Sequence, residues 1–375
     1  MGRTPRERLA TAQRVVVKVG SSSLTSVDGG RLDEARLIAL VNALAGRIAG
    51  GAQVVLVSSG AIAAGIAPLG LDSRPRDLAT QQAAASVGQG ALVAAYSRAF
   101  AHHGLSVGQV LLTADDTTRR GHYTNARRAL TRLLELGIVP IINENDSVAT
   151  QEIRFGDNDR LAALVAHLIN ADALVLLTDV DALYTDKPDR PGATRIAEVA
   201  SSEELAGIRV DARGSRVGTG GMVTKVEAAS IANAAGVLAA LASSTDIGAV
   251  LAGDDVGTVF IPSGRRRGAR TWWLQHATSV RGQVVIDAGA VRALTTGGKS
   301  LLAAGIIAVH GTFHAGDAVD VVGPDGAVVA RGLVNYNAAG LPRMLGRHSK
   351  DLAADLGPQY EREVIHRDDL VVLGR

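Results

Sequence analysis

Two lysines lie beside small residues, where each could meet a phosphate group. Lys18 belongs to the apolar run RVVVKV, which GSSS follows, and Lys225 comes after GTGGMVT and opens a helical pattern. A lysine ammonium and open backbone N–H groups at such a junction can bind phosphate oxygens together. Each segment therefore predicts a phosphate contact, and an ordinary turn beside a helix is the alternative interpretation of both.

Lys225 does not belong to a P-loop. In GTGGMVTK the lysine follows the last glycine by four positions, whereas a P-loop places it directly after a glycine. The segment TTGGKS contains Gly298, Lys299 and Ser300, the second half of that pattern, but Ala293 stands where the first glycine is required. No long buried strand precedes TTGGKS, so the sequence indicates no nucleotide site there.

Acidic and amide side chains crowd two successive junctions between a strand and a helix. They lie in NENDSV and FGDND and are Asn143, Glu144, Asn145, Asp146, Asp157, Asn158 and Asp159. The D-x-D spacing can suit Mg²⁺, but this ion takes few protein ligands when substrate phosphates are available, and the twelve-residue calcium-loop pattern is absent. We predict a polar ligand site without a protein metal site. The alternative interpretation, in which Asp159 caps the following helix, explains one acid but does not explain the amides around it.

Two further strand ends carry polar side chains. In VSSG, Ser58 and Ser59 precede a glycine, and in LLTD, Thr178 and Asp179 follow an apolar run. Hydroxyls and a carboxylate there can bind a polar ligand or a nucleotide's sugar or base. Helix capping is the alternative for both segments.

The elements that position these residues alternate along the chain. Nearly unbroken apolar runs predict strands at 14–19, 53–58, 107–112, 138–142 and 173–177. Amphipathic patterns between them predict helices at about 33–49, 81–101, 124–136 and 160–169. This alternation predicts a three-layer α/β/α sandwich around a mainly parallel sheet, with ligands bound where strands end.

The alternation of strand and helix patterns stops at PSGRRRGARTWW, where helix breakers accompany a run of arginines. We predict a first domain at 1–262, a linker at 263–278 and a small β-rich domain with a C-terminal tail at 279–375. Short strands with Gly and Asp turns, such as GDAVDVVGPDGAVVARGLV, are typical of the last region.

The composition and charge of the chain exclude several classes of function. Apolar residues make up 47% and charged residues 20%, which is typical of a folded protein. The formal charge is only +2 and aromatics are 3%, so no global field or stacking surface favours nucleic acid. The absence of cysteine excludes disulfides and thiol catalysis. No segment has the length and apolarity of a membrane span, and we expect a soluble, cytoplasmic protein.

Taken together, the motifs resemble the amino acid kinase family, and specifically its branch that phosphorylates glutamate. The resemblance extends over most of residues 14–229 and rests on KVGSSSLT, SSGAIAAG, QQAAASVGQGAL, VPIINENDSVATQEIRFGDNDRLAALVA, LLTDVDALYT and GTGGMVTK. The C-terminal region, from RGQVVIDAGAVRAL through ARGLVNY, resembles a PUA domain. Ala182 and Val223 stand where the family often has glycine and serine, and neither change removes a charge needed for chemistry.

The resemblance implies ATP-dependent phosphorylation of the γ-carboxylate of L-glutamate, the first step of proline biosynthesis, with Mg²⁺ bound mainly through phosphates. Lys18 and Lys225 resemble the lysines that hold the phosphates, and Asp159 the acid that organises them, although Asp157 is the alternative. The remaining nucleotide positions are Thr178, Asp179, Thr219, Gly220, Gly221, Met222 and Thr224. Ser59, Asp146 and Asn158 match glutamate-binding positions. For the substrate we expect Asp146 to meet the amino group and Asn158 to donate to the α-carboxylate.

The resemblance also implies proline as a feedback inhibitor, and we expect a homo-oligomer and transfer of the acyl phosphate to glutamyl phosphate reductase. Two alternatives stay open. One is a different small-acid kinase of the family, such as an acetylglutamate kinase, an aspartokinase or a nucleotide monophosphate kinase. The other is RNA binding through the PUA-like domain and the basic segment 264–270.

Overall fold

The computed structural model describes residues 2–25, 32–113, 116, 120–148, 158–186, 188, 190–201, 204, 221–262 and 280–373. Packing divides the chain into two compact units. The larger consists of Met1–Thr117 and His122–Arg266, and the smaller of Thr118–Gly121 and Arg267–Arg375. The predicted linker at 263–278 lies outside the described residues, so the domain boundaries stay predictions.

An eight-stranded sheet forms the centre of the larger unit. Its strands are β1 (Arg14–Val19), β2 (Gln53–Ser58), β3 (Val107–Leu112), β4 (Val139–Glu144), β5 (Ala173–Thr178), β8 (Glu198–Val199), β9 (Leu238–Ser243) and β10 (Thr258–Phe260). The order is β3-β4-β2-β1-β5-β9-β10-β8, and every pairing is parallel except that of β9 with β10. Strands β6 (Leu183–Tyr184) and β7 (Arg195–Ile196) pair antiparallel and form a separate two-stranded sheet.

Helices cover both faces of this sheet. Those described are α1 (Pro5–Ala10), α2 (Glu34–Ala49), α3 (Ala61–Ile66), α4 (Leu78–Ala101), α5 (Arg120–Glu135), α6 (Asn158–Leu168), α7 (Met222–Ala234) and α8 (Ile247–Ala252). Val15 and Val17 of β1 pack into one hydrophobic core with α2 and α4, and Val16 packs into another with α6 and α7. Because both faces are buried, the strands read as unbroken apolar runs. The predicted three-layer α/β/α fold is confirmed.

The agreement with the predicted elements follows from this burial. Strands β1, β2 and β3 have the predicted bounds, and β4 begins and ends later than predicted. Strand β9 was missed because its sequence, LAALAS, is rich in alanine, which has low strand propensity. Pairing with β5 along its whole length places it in the sheet. Tertiary pairing therefore overrode local propensity.

Four adjacent strands, β4, β2, β1 and β5, run parallel and end at one edge of the sheet. The register pairs Val19 with Ser58 and Lys18 with Leu176. The polar segments after these strands therefore meet there, although as much as 160 residues of chain separates them. This edge is where a doubly wound sheet binds ligands.

Helices α3 and α4 lie against each other with almost no space between their backbones. A Cβ atom at Gly65 would stand 2.0 Å from the carbonyl oxygen of Ala84, and one at Gly88 would stand 1.8 Å from that of Ala61. Only glycine fits at both contacts. The residues that follow Gly88 are thereby held close to the end of β2.

The smaller unit contains a five-stranded sheet in the order β12-β11-β13-β14-β15. Its elements are β11 (Gly282–Ile286), α9 (Ala288–Thr295), β12 (Ile306–Gly311), β13 (Ala318–Val322), β14 (Val328–Leu333), α10 (Ser349–Leu356) and β15 (Leu370–Val372). Strands β11 and β13 pair in parallel and the other pairs are antiparallel. A separate hydrophobic core includes Val284, Phe313 and Val321. The predicted small β-rich domain is confirmed.

Candidate active site

Two lysines and one aspartate form a buried charged triad at the ends of β1, α6 and α7. Lys18 Nζ lies 2.6 Å from Asp159 Oδ1, and Lys225 Nζ lies 3.1 Å from Asp159 Oδ2. Asp159 is 0% exposed, Lys18 3% and Lys225 7%. Two ammonium groups share one carboxylate, so the triad carries a net positive charge in a place closed to bulk water.

Asp159 is ionised despite its burial. Burial opposes ionisation, but the charges of Lys18 and Lys225, together with hydrogen bonds from both, outweigh it and lower the pKa of this carboxyl below its ordinary value. Two unit positive charges 4 Å apart would repel by about 4 kcal/mol at an effective dielectric near 20. A carboxylate between them offsets that repulsion and holds both lysines ready for an anion.

Helix α7 begins beside this triad. Its N-cap residue is Gly221, which provides no side-chain cap for the first turn. Thr224 Oγ1 lies 3.1 Å from Asp159 Oδ2 and 2.8 Å from the carbonyl oxygen of Gly221. The first N–H groups of a helix and the positive end of its dipole favour an anionic ligand. Combined with the two lysines, this geometry suits a phosphate group.

A chain of neutral side chains lies beyond the triad. Asn158 Nδ2 donates to Ser59 Oγ at 2.8 Å and to Asn143 Oδ1 at 2.9 Å. Asn143 Nδ2 donates to Gln89 Oε1 at 2.8 Å. This amide chain, Ser59–Asn158–Asn143–Gln89, joins the ends of β2, α6 and β4 to helix α4.

The expected contact between Asn158 and a substrate carboxylate does not fit this geometry. Both N–H bonds of its amide already donate, to Ser59 and Asn143. Its oxygen, Oδ1, is buried and has no hydrogen-bond partner among the described residues. The unused hydrogen-bonding capacity of Asn158 is therefore that of an acceptor, and Ser59, whose oxygen accepts from Asn158, keeps its hydroxyl proton to donate.

Strand β2 is anchored below Ser59 by a buried hydroxyl pair. Ser58 Oγ and the Tyr96 hydroxyl are 2.9 Å apart, and both residues are 0% exposed. Burial raises the pKa of Tyr96, partly offset by the Ser58 hydrogen bond, so the phenol stays neutral. The Ser59 amide also donates to the carbonyl oxygen of Val19 at 3.1 Å. Ser59 is thus held on a rigid support.

The other predicted site residues lie at the same sheet edge or outside the described residues. Thr178 ends β5 and is buried, and its hydroxyl donates to the carboxylate of the exposed Asp179 at 3.0 Å. Asp146 lies in the turn after β4 and is half-buried. Met222 is the first residue of α7. Thr219, Gly220 and Asp157 lie outside the described residues.

Two capping interpretations of the polar segments are wrong. Asp159 lies inside α6, which begins at Asn158, and its carboxylate contacts lysines instead of capping the helix. Helix α3 has Gly60 as its N-cap, at φ 108°, and no side-chain cap, so neither serine of VSSG caps it. Left-handed backbone at Gly60 turns the chain sharply after Ser59 and leaves that hydroxyl at the sheet edge.

Sequence reasoning missed Gln89 and Tyr96. Gln89 is a buried polar residue between Gly88 and Gly90 in a helix of small residues, and this pattern was the available signal. Asn143 was noted only as one of several amides. All three are buried, and their partners are distant in sequence, so no local spacing relates them.

The segment TTGGKS has the wrong relation to its helix for phosphate binding. It follows the C-terminal end of α9, where Lys299 N–H donates to the carbonyl oxygen of Ala293 at 3.2 Å. A P-loop instead precedes a helix, so that N–H groups point at the phosphate. The segment therefore lacks the geometry of a P-loop.

No group of three or more His, Cys, Asp or Glu side chains in the described part of the chain is arranged to hold a metal ion. No helix in the ranges given above has the length and apolarity needed to cross a membrane.

Comparisons with known proteins agree with this architecture. Residues 13–241 match the amino acid kinase family model, and residues 282–356 match the PUA domain model. Glutamate 5-kinase of Salinispora arenicola (strain CNS-205) is 62% identical over 98% of this chain and 100% of its own. Glutamate 5-kinases of Thermobifida fusca (strain YX) and Streptomyces coelicolor are 60% and 59% identical, each over 98% of this chain and over 95% and 98% of their own. This chain belongs to the amino acid kinase family and carries a C-terminal PUA domain.

Proposed function

We propose that this protein transfers the γ-phosphoryl group of ATP to the γ-carboxylate of L-glutamate. The observation that carries the proposal is the buried triad, in which two lysine ammonium groups share Asp159 at the carboxyl edge of a parallel sheet. The glutamate 5-kinases that match nearly the whole chain support glutamate as the substrate. The product, γ-glutamyl phosphate, is the first intermediate of proline biosynthesis.

The chemistry requires little from the protein except charge and position. A carboxylate is already a nucleophile, so no general base is needed. Its oxygen forms a bond to the γ-phosphorus while the bond from that phosphorus to the bridging oxygen breaks, and the electron pair leaves on ADP. The barrier is the approach of an anion to a polyanion, and fixed positive charge lowers it.

Lys18 and Lys225 provide that charge in this proposal. The two lysines approach the transferred phosphoryl group, and Asp159 keeps both charged side chains in place between turnovers. Helix α7, beginning at Met222, adds N–H groups from the segment that contains Gly221 and Thr224. These groups need no rearrangement when charge moves from the carboxylate to ADP, which is the property that makes electrostatic stabilisation effective.

The substrate amino acid lies against the amide chain. The Ser59 hydroxyl donates to a carboxylate, Asn158 Oδ1 accepts from the ammonium group, and Asp146 supplies a negative charge near the same group. We assign Thr178, Asp179, Met222, Thr219 and Gly220 to the nucleotide. The last two complete the glycine-rich stretch before α7.

Mg²⁺ fits this site as a companion of the nucleotide. Both oxygens of Asp159 contact lysines, so the donor set of the triad is cationic and unsuited to a metal ion. When it is bound through the phosphates of ATP, Mg²⁺ supplies further neutralisation of their charge. The use of ATP follows from membership of the kinase family. We propose that Mg²⁺ accompanies it.

A phosphoryl-transfer assay tests the proposal directly. The protein is incubated with ATP and Mg²⁺ over glutamate, N-acetylglutamate, aspartate and UMP, and acyl phosphate is trapped with hydroxylamine. We expect hydroxamate from glutamate, with kcat/KM at least tenfold above the other acids. Preference for N-acetylglutamate or aspartate would show that the proposed substrate is wrong, and ADP release with UMP would indicate a nucleotide monophosphate kinase.

Several associated expectations stay predictions. They concern proline inhibition, the homo-oligomer, transfer to a reductase and the cytoplasmic location. RNA binding depends partly on segment 264–270, which lies outside the described residues. A gel shift with structured RNA, repeated at several salt concentrations, tests it, because phosphate contacts weaken steeply with salt.

A further inference from the structure

The direction of every hydrogen bond in the amide chain can be traced from one backbone group. The N–H of Glu144 donates to Asn143 Oδ1 at 2.9 Å, and a backbone N–H can only donate. Asn143 Oδ1 is therefore the acceptor end of that amide. Its other end, Nδ2, faces Gln89 Oε1.

The orientation of the Asn158 amide follows from that of Asn143. Because Asn143 Oδ1 accepts, the group of Asn158 that faces it must be Nδ2, at 2.9 Å. The second N–H of this Nδ2 donates to Ser59 Oγ. The amide of Asn158 can then turn only its oxygen toward a ligand, and that oxygen is buried without a partner among the described residues. A buried acceptor of this kind matches an ammonium group.

Gln89 holds the inner end of the chain. It is 7% exposed, and Asn143 is 1% exposed, so bulk water has little access to the Asn143 Nδ2 donor. Its helix is pressed against α3 at Gly65 and Gly88, where no Cβ atom would fit. This contact fixes the backbone position of Gln89, and without Oε1 Asn143 would keep a buried donor with no acceptor, which is costly.

We infer that Gln89 is a positioning residue for the α-ammonium group of the substrate: it holds Asn143 in one orientation, and Asn143 makes Asn158 present its carbonyl oxygen. This inference rests on the proposed function, since glutamate is the ligand. Gln89 acts through two other side chains.

The test compares L-glutamate with glutarate, which has the same two carboxylates and no ammonium group. Dissociation constants of both are measured by calorimetry for the full chain and for Gln89→Met, a side chain of similar volume that cannot fix the Asn143 amide. We expect glutamate binding to weaken about tenfold, the size of one lost hydrogen bond, and glutarate binding to change less than twofold. The KM for ATP and the kcat at saturating glutamate should stay within about twofold.

Two further variants separate positioning from damage to the fold. Gln89→Glu keeps an acceptor for Asn143 Nδ2, whether or not it is ionised, and should restore glutamate binding to within about threefold. Gln109→Met, on an exposed position of β3, is the matched control and should change nothing. Thermal unfolding followed by circular dichroism checks each variant.

Each outcome decides the inference. Equal weakening of glutamate and glutarate would mean that Gln89 binds a carboxylate itself or supports the whole pocket, and unchanged binding of both would mean that Asn143 does not need it. Either result overturns the inference while glutamate phosphorylation by the unmodified protein stands. If that protein neither binds nor phosphorylates glutamate, the proposed function fails as well.

Discussion

The charged triad and the amide chain lie side by side at one sheet edge, but one consists of charged side chains and the other of neutral side chains. The triad consists of three charged side chains, Asp159 and the two lysines that contact it, and the amide chain consists of neutral side chains whose hydrogen bonds have one direction. Charge stabilises a transition state in which negative charge moves. Fixed dipoles distinguish a donor from an acceptor, which is what recognition of an amino acid requires. We therefore expect damage to the triad to lower kcat, and damage to the amide chain to weaken substrate binding.

Asp159→Asn should have the largest effect. It leaves two buried ammonium groups without their shared anion, so we expect kcat to fall about 10³-fold and the free energy of unfolding to fall by about 3–5 kcal/mol. Steady-state kinetics and urea denaturation measure both. Asp254→Asn, an exposed acid of the same unit, is the control. Normal kcat in Asp159→Asn would transfer the organising role to another acid, with Asp157 the first candidate.

The stability provided by Asp159 should depend on pH in one direction only. Its pKa is lowered in the folded state, relative to about 3.9 in an unfolded chain. The contribution is therefore complete above the unfolded value and is lost as the pH falls through the folded value. We expect the difference in unfolding free energy between the unmodified protein and Asp159→Asn to be constant from about pH 5 to 8 and to shrink below about pH 4. A difference that grows with acidification would contradict this assignment.

Lys225→Met should separate catalysis from binding. We expect kcat to fall about 10²-fold or more while the KM for glutamate changes less than about threefold, since the charge acts mainly in the transition state. Lys299→Met, in the TTGGKS segment, is the matched control and should leave both constants unchanged. An equal loss in kcat and in glutamate affinity would place Lys225 in ground-state binding and weaken the contrast between the two regions.

Tyr96→Phe should have the smallest effect. It removes the hydroxyl that bonds Ser58 beneath the amide chain but keeps the ring, so we expect the protein to lose about 1 kcal/mol of stability. The KM for glutamate should rise less than about threefold, and kcat should not change. Denaturation and kinetics on the same preparation test this. A large loss of kcat would show that β2 supports the charged half as well.

Much of the fold was predictable because both faces of the sheet are buried. Strands β1, β2 and β3 have the bounds predicted from their apolar runs, and the helices between them are near their predicted positions. Alanine-rich β9 was not predictable in this way, since its residues favour a strand only once β5 lies beside them.

The sequence by itself determined the layered fold and the lysines, acids and amides available for chemistry. Burial periodicity is a local signal, and residue types show directly which groups carry charge or donate protons. Only the tertiary structure decided that Asp159 contacts both lysines, and that both N–H groups of Asn158 donate within the amide chain. It also brought Gln89, 54 residues away, to Asn143. These outcomes depend on distances and on the direction of hydrogen bonds between segments that meet only when the parallel strands align.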